Sequence, residues 1–151
     1  MMNNANGKMG EKYKFEIKTA KDIDQRLDDV KGIDEIKEEI TNLIRMIKEP
    51  HKYREKGAKL HRGVLLFGEP GVGKTLMARA IAGEAGTNFI FCSGSQFDEM
   101  FVGVGAKRIR QLFAEARKNT PCIIFIDEID SLLTKGRRQS GESSSSRATI
   151  N

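Results

Sequence analysis

At 151 residues the chain is long enough for one domain with a real core and too short for two. Its hydrophobic share of 38% and charged share of 31% are those of a soluble globular protein, and no apolar run approaches the roughly 18 residues that span a bilayer. The net charge of +5 sits in the ends, +2 in residues 1–26 and +3 in residues 135–151. The neutral middle argues against a nucleic-acid binder, whose basic excess belongs on the folded face that meets phosphates. The opening residues lack the apolar stretch of a signal peptide and the arginines of a transit peptide.

Residues 1–13, rich in Asn, Gly, Lys and Met, and the polar stretch that follows set 1–26 apart as a disordered N-terminal segment. From Asp34 to Glu49, Ile36, Ile40, Leu43, Ile44 and Ile47 recur at three- and four-residue steps, which predicts a helix stopped by Pro50. Val64–Phe67 reads as a short buried strand running into a glycine loop. Lys74–Ala85 is strong helix former, with Gly86 suited to its C-terminal cap. Phe89–Cys92 is a second strand. Ala106–Lys118 is a helix with Ile109, Leu112, Phe113 and Ala116 on one face, closed by Pro121. Cys122–Ile126 is a third strand, apolar on both faces. Residues 135–151, basic and then serine-rich, read as a mobile loop, so 27–134 is the folded unit. Cys92 and Cys122 lie inside the apolar runs without CxxC or Cys/His spacing, and read as buried free thiols. His51 and His61 form no HExxH.

Strands that are apolar throughout and alternate with helices indicate an α/β fold, a parallel sheet with helices on both faces. Such sheets collect ligands at the carboxyl ends of their strands. Gly68-Glu69-Pro70-Gly71-Val72-Gly73-Lys74-Thr75 fits the phosphate-loop pattern G-x-x-x-x-G-K-[ST] and stands between a predicted strand and a predicted helix. Glycines let successive N–H groups converge on phosphate oxygens, and the helix that follows, through Leu76, adds its positive end. In this pattern Lys74 reaches the β- and γ-phosphates of ATP and Thr75 ligates Mg²⁺. The strand through Ile126 delivers Asp127 and Glu128 to its carboxyl end. Two carboxylates at a core strand's tip call for a cation nearby. Asp127 is expected to hold the magnesium shell, and Glu128 to orient and polarise the attacking water. Asp130 reads as a helix cap or a surface charge.

With these residues placed, the chain resembles AAA+ proteins (P-loop NTPases), specifically the FtsH-type membrane-anchored zinc metalloproteases and their mitochondrial i-AAA branch. The resemblance runs from Leu27 to about Leu133. It includes Asp29-Val30-x-Gly32, the glycine loop, the stretch from Cys92 through Met100-Phe101-Val102-Gly103-Val104-Gly105-Ala106, and Pro121 to Asp130. It implies a hexamer, homomeric or heteromeric, that threads unfolded polypeptide past Phe101, Val102 and Gly103 in a central pore. It also places Val30 and Gly32 beside adenine, and implies a mitochondrial inner membrane location through an anchor not in these residues. Zn²⁺ would belong to a protease domain not in these residues. By residue pattern alone, Phe101 also fits a core position, and Val30-Lys31-Gly32 a simple turn before the helix.

Glu69 and Val72 depart from the family's usual Pro and Thr, and Lys31 from a small residue. The 151 residues stop before the family's sensor asparagine, arginine fingers and helical lid. The expectation is therefore three of five core strands, the N-terminal part of an ATPase module. The sensor strand of the family lies between the glycine-loop strand and the Asp-Glu strand, so both are expected to face an empty slot. The function expected is Mg²⁺-dependent ATP hydrolysis within an unfoldase–protease. The alternative is a truncated nucleotide-binding fragment with negligible turnover and no protease activity. A kinase or nucleic-acid motor lacks an acceptor pocket or basic face.

Overall fold

The computed structural model describes residues 15–60, 62–69, 71, 73–97 and 104–132. Its centre is a three-stranded sheet of β1 (Glu16–Lys18), β2 (Asn88–Ser93) and β3 (Cys122–Asp127), in that spatial order. β2 and β3 pair in parallel from Asn88 opposite Cys122 to Ser93 opposite Asp127, while β1 runs antiparallel with Ile17 opposite Ile90. Alternate residues of a strand point to opposite faces, so residues apolar at every position need cover on both sides. Ile90, Cys92, Ile124 and Ile126 meet Leu112 and Ala116 of α4 (Val104–Lys118) on one face. Phe89, Phe91, Ile123 and Phe125 face Ala78 and Ala82 of α3 (Lys74–Ala85) on the other. Phe125 stacks between Phe89 and Phe91, with ring centroids 6.3 and 5.9 Å away. This is the α/β architecture with helices on both faces that the pattern predicts.

The periodic run from Asp34 becomes a short 3₁₀ turn at Asp34–Ile36 and then α1 (Lys37–Lys48). Ile40 and Ile44 pack on Met77, Ala80 and Ile81 of α3 in a core of their own. Pro50 does end α1, but it also opens α2 (Pro50–Glu55) at a position where its missing N–H costs nothing. α3 ends on Gly86, where the Gly86 and Thr87 N–H groups donate to Gly83 and Ala82 carbonyls. β2 starts immediately afterwards.

Two expectations are corrected. Val64–Phe67 forms no strand, and the sheet's third member is β1 instead. A strand exists by exchanging hydrogen bonds with a neighbour, and no described strand lies beside these residues. Only Leu66 reaches a core, while Val64 is 58%, Leu65 73% and Phe67 98% exposed. β3 likewise has no strand partner on its outer side among the described residues.

The second correction concerns the segment set apart as disordered, which is ordered from Phe15 on. Phe15 and Ile17 pack with the α4 face of the sheet, and Ile23, 1% exposed, joins Ala78, Ala82 and Phe89. The segment lies so close on α3 that a Cβ at Gly83 would strike the Gln25 carbonyl and the Arg26 guanidinium. Asn88 fastens its start, accepting the Ala20 N–H at 2.9 Å and donating to the Asn119 carbonyl at 2.7 Å.

Candidate nucleotide site

α3 and β2 fix where the glycine loop sits. α3 packs on the sheet and turns back into β2 within two residues of its end, so it runs against the strands. Twelve helical residues span about 18 Å and six strand residues about 20 Å. The N-terminus of α3, with Lys74, therefore returns to the rim where β2 ends at Ser93 and β3 at Asp127.

At the helix start, Gly71 and Gly73 both adopt left-handed backbone, φ 81° and 85°, which a side chain would resist. The first intrahelical bond is Met77 N–H to Gly73 O at 2.9 Å, so the N–H groups of Lys74, Thr75 and Leu76 have no acceptor within the helix. Three such donors at the positive end of a helix form an anion site. The Lys74 ammonium lies over the loop, donating to the Gly68 carbonyl at 2.7 Å and the Glu69 carbonyl at 3.3 Å. Thr75 is half-buried and Leu76 exposed beside it. Pro70 and Val72 lie outside the described residues, as do Phe101, Val102 and Gly103 of the expected pore loop.

A cavity of about 740 Å³ opens beside Lys74, with Lys31, Gly32, Ile33, Phe67 and Met77 among its walls. Gly32 stands at its edge, whereas Val30 is buried in the α1–α3 core. Of the pair expected at adenine, only Gly32 lines open space.

The other half of the rim is the tip of β3. Asp127 Oδ1 accepts the Glu128 N–H at 2.9 Å. Glu128 is exposed and takes a positive φ of 50°, alone in this among the described non-glycine residues. Left-handed backbone costs such a residue about 1–2 kcal/mol, and local bonds offset it. Its carbonyl accepts Ser131 N–H at 3.1 Å and Ser131 Oγ at 2.8 Å. Its carboxylate accepts Ser93 Oγ at 2.9 Å, and Ser93 Oγ lies 2.8 Å from Ser95 Oγ. The sequence reading missed Ser93. Its signal was a polar residue ending an apolar strand that pairs with the Asp-Glu strand. Asp130 is exposed, at the start of a helical turn.

Phosphate suits this rim, since Lys74 and the α3 amides without an acceptor inside the helix are its natural donors. Magnesium suits the oxygen donors Thr75 and Asp127, whose second carboxylate oxygen has no hydrogen bond among the described residues. The described residues hold no cluster of His, Cys, Asp and Glu for a metal of other chemistry. Burial pushes the Cys92 thiol up to about 11 and raises that of Cys122 too, which marks both as packing groups.

A glycine loop opening a helix on a mixed α/β sheet, with an Asp-Glu pair at a strand's tip, defines a nucleotide-dependent ATPase class of fold. The chain matches the family ATPase family associated with various cellular activities (AAA) over residues 64–151, and belongs to it. It is 60% identical over 105 residues to ATP-dependent zinc metalloprotease FtsH 3 of Symbiobacterium thermophilum, covering 70% of this chain and 17% of that protein. Over 122 residues it is 56% identical to human ATP-dependent zinc metalloprotease YME1L1, covering 81% of this chain and 16% of that one. The match to the mitochondrial inner membrane i-AAA protease supercomplex subunit YME1 of Saccharomyces cerevisiae is 53% over 126 residues, 83% and 17% of the two. The chain thus spans less than a fifth of the curated relatives it matches. Among the described residues no helix is long and apolar enough to cross a membrane.

Proposed function

We propose that this chain carries an ATP site that binds the nucleotide with Mg²⁺ and hydrolyses it, within an AAA+ unfoldase that feeds polypeptide to a zinc protease. Two features support it most: the glycine loop that opens α3, with Lys74 over it, and the Asp127-Glu128 pair at the end of β3. In this reading the backbone from Gly68 through Glu69, Pro70, Gly71, Val72 and Gly73 cradles the phosphates. Lys74 leaves the Gly68 and Glu69 carbonyls to meet them, and the Thr75 and Leu76 amides complete the anion site. Thr75 and Asp127 hold Mg²⁺, which when bound neutralises charge between the phosphate oxygens. Glu128 orients the attacking water through its carboxylate, of which Ser93 Oγ bonds only Oε2. Gly32, with Val30 beneath it, borders the base.

The name of the Saccharomyces relative, a mitochondrial inner membrane i-AAA protease supercomplex subunit, favours an assembly at that membrane. The resemblance extends the proposal to a hexamer in which Phe101, Val102 and Gly103 grip unfolded polypeptide. In the intact protein, Lys74→Ala should abolish nucleotide binding, whereas Glu128→Gln should bind ATP and stall before hydrolysis. Equal loss of binding in both would refute the assigned roles.

The unpaired stretch Val64–Phe67 favours a second reading for the 151 residues alone, a nucleotide-binding fragment with negligible turnover and no protease activity. A turnover near that of intact AAA+ enzymes would overturn the reading.

A further inference from the structure

Gly94 is buried directly after Ser93, in the 3₁₀ turn Gly94–Phe97. Its own backbone does not require glycine, for it is absent from the described glycines with positive φ. What requires it is the residue lying on it. A Cβ at 94 would drive into the Glu128 carbonyl oxygen, 3.1 Å from the Glu128 carbonyl carbon and 2.7 Å from Ser131 Oγ. Two of these atoms are backbone, which cannot swing aside as the end of a long side chain does.

The geometry points to Gly94 as a positioning residue for Glu128: its bare Cα is the seat that lets Glu128 hold left-handed backbone and direct its carboxylate along the rim. The inference rests on the reading of Glu128 as the residue that orients water. Four residues converge on that one. Asp127 takes its N–H, Ser131 takes its carbonyl twice, Ser93 takes its carboxylate, and Gly94 leaves the space its carbonyl fills. Gly94 belongs to neither the phosphate loop nor the metal-binding pair, so a methyl there should displace Glu128 and leave ATP binding intact. A displacement of about 1 Å in such a site costs as much as 10²-fold in rate.

The test uses the intact protein with Gly94→Ala, Ser131→Ala, Glu128→Gln and the double variant G94A/E128Q, reading kcat, KM, ATP affinity and melting temperature. Gly94→Ala should lower kcat at least 10-fold with KM and ATP affinity within about threefold of wild type. Ser131→Ala, which removes one of two bonds to the same carbonyl, should lower kcat a fewfold in the same pattern. In the E128Q background Gly94→Ala should add no further loss, because both act through one side chain. Unchanged kcat in Gly94→Ala, lost ATP binding, or full additivity in the double variant would each overturn the assignment. If Gly94→Ala does not fold, unchanged kcat in Ser131→Ala overturns it instead. Full turnover in Glu128→Gln alone would sink the reading of Glu128 itself, an outcome distinct from the others.

Discussion

The stretch from Phe15 to Ile33 is polar and aperiodic, yet it supplies Ile23, Val30 and Ile33, each nearly sealed from solvent. The four apolar residues from Val64 to Phe67 form an uninterrupted strand-like run, yet only Leu66 of them touches a core. Hydrophobicity is a property of a residue, and burial is a property of its neighbours. Single apolar side chains in the first stretch find ready surfaces on β2, α3 and α1. The second stretch has side chains in plenty but no adjacent strand for its N–H and C=O groups.

Four measurements on the 151-residue chain break or sharpen this contrast. Ile23→Asp would place an unpaired carboxylate between α3 and Phe89, and should cost about 3–5 kcal/mol in urea unfolding. A loss under 1 kcal/mol would mean that the segment does not dock. Gly83→Ala separates two opposed effects. In a free helix surface alanine gains about 1 kcal/mol over glycine, but here the methyl meets the Gln25 backbone, and overpacking costs about 1–3 kcal/mol. Net destabilisation is expected, and a gain would place the segment elsewhere.

Alkaline pH probes the covered face of the sheet. The Cys92 thiol is pushed up to about 11 by burial, so the folded chain keeps a proton that the unfolded chain releases at its ordinary pKa near 9. Stability linked to Cys92 is therefore complete below about pH 9 and is lost as pH rises toward 11. Cys92→Ala should flatten the fall in melting temperature across that window, and an unaltered slope would contradict the burial. The smallest effect belongs to the open stretch. Phe67→Ser should change stability by no more than about 0.5 kcal/mol, since the residue is already 98% exposed. A loss above 1 kcal/mol would show that this residue is covered.

The same physics sets what the sequence discloses. α1, α3, α4, β2 and β3 were legible because each repeats a local pattern that packing then confirms. Gly73 and Gly86 were legible as punctuation, and the phosphate loop and Asp-Glu pair as chemistry at strand and helix ends. β1 was not, because it is only three residues long, with Ile17 its single apolar residue. Ile23 was not, because one plug has no period. Val64–Phe67 misled because its pattern describes a partner that the described residues do not contain. Ser93, Gly94 and Ser131 around Glu128 were hidden for another reason. Their roles depend on the register that sets Ser93 opposite Asp127, a relation between segments that neither segment carries by itself.

The docking of Ile23 and its neighbours against Gly83 has a mechanical consequence. Load entering from the chain ahead of residue 15 meets the β1–β2 ladder first, and then the Ile23 plug on the later half of α3. The phosphate loop, at the N-terminal end of that helix, is separated from Gly83 by most of a rigid rod. A tug on the N-terminal side therefore peels a three-residue strand and extracts one side chain before it disturbs the loop's curvature.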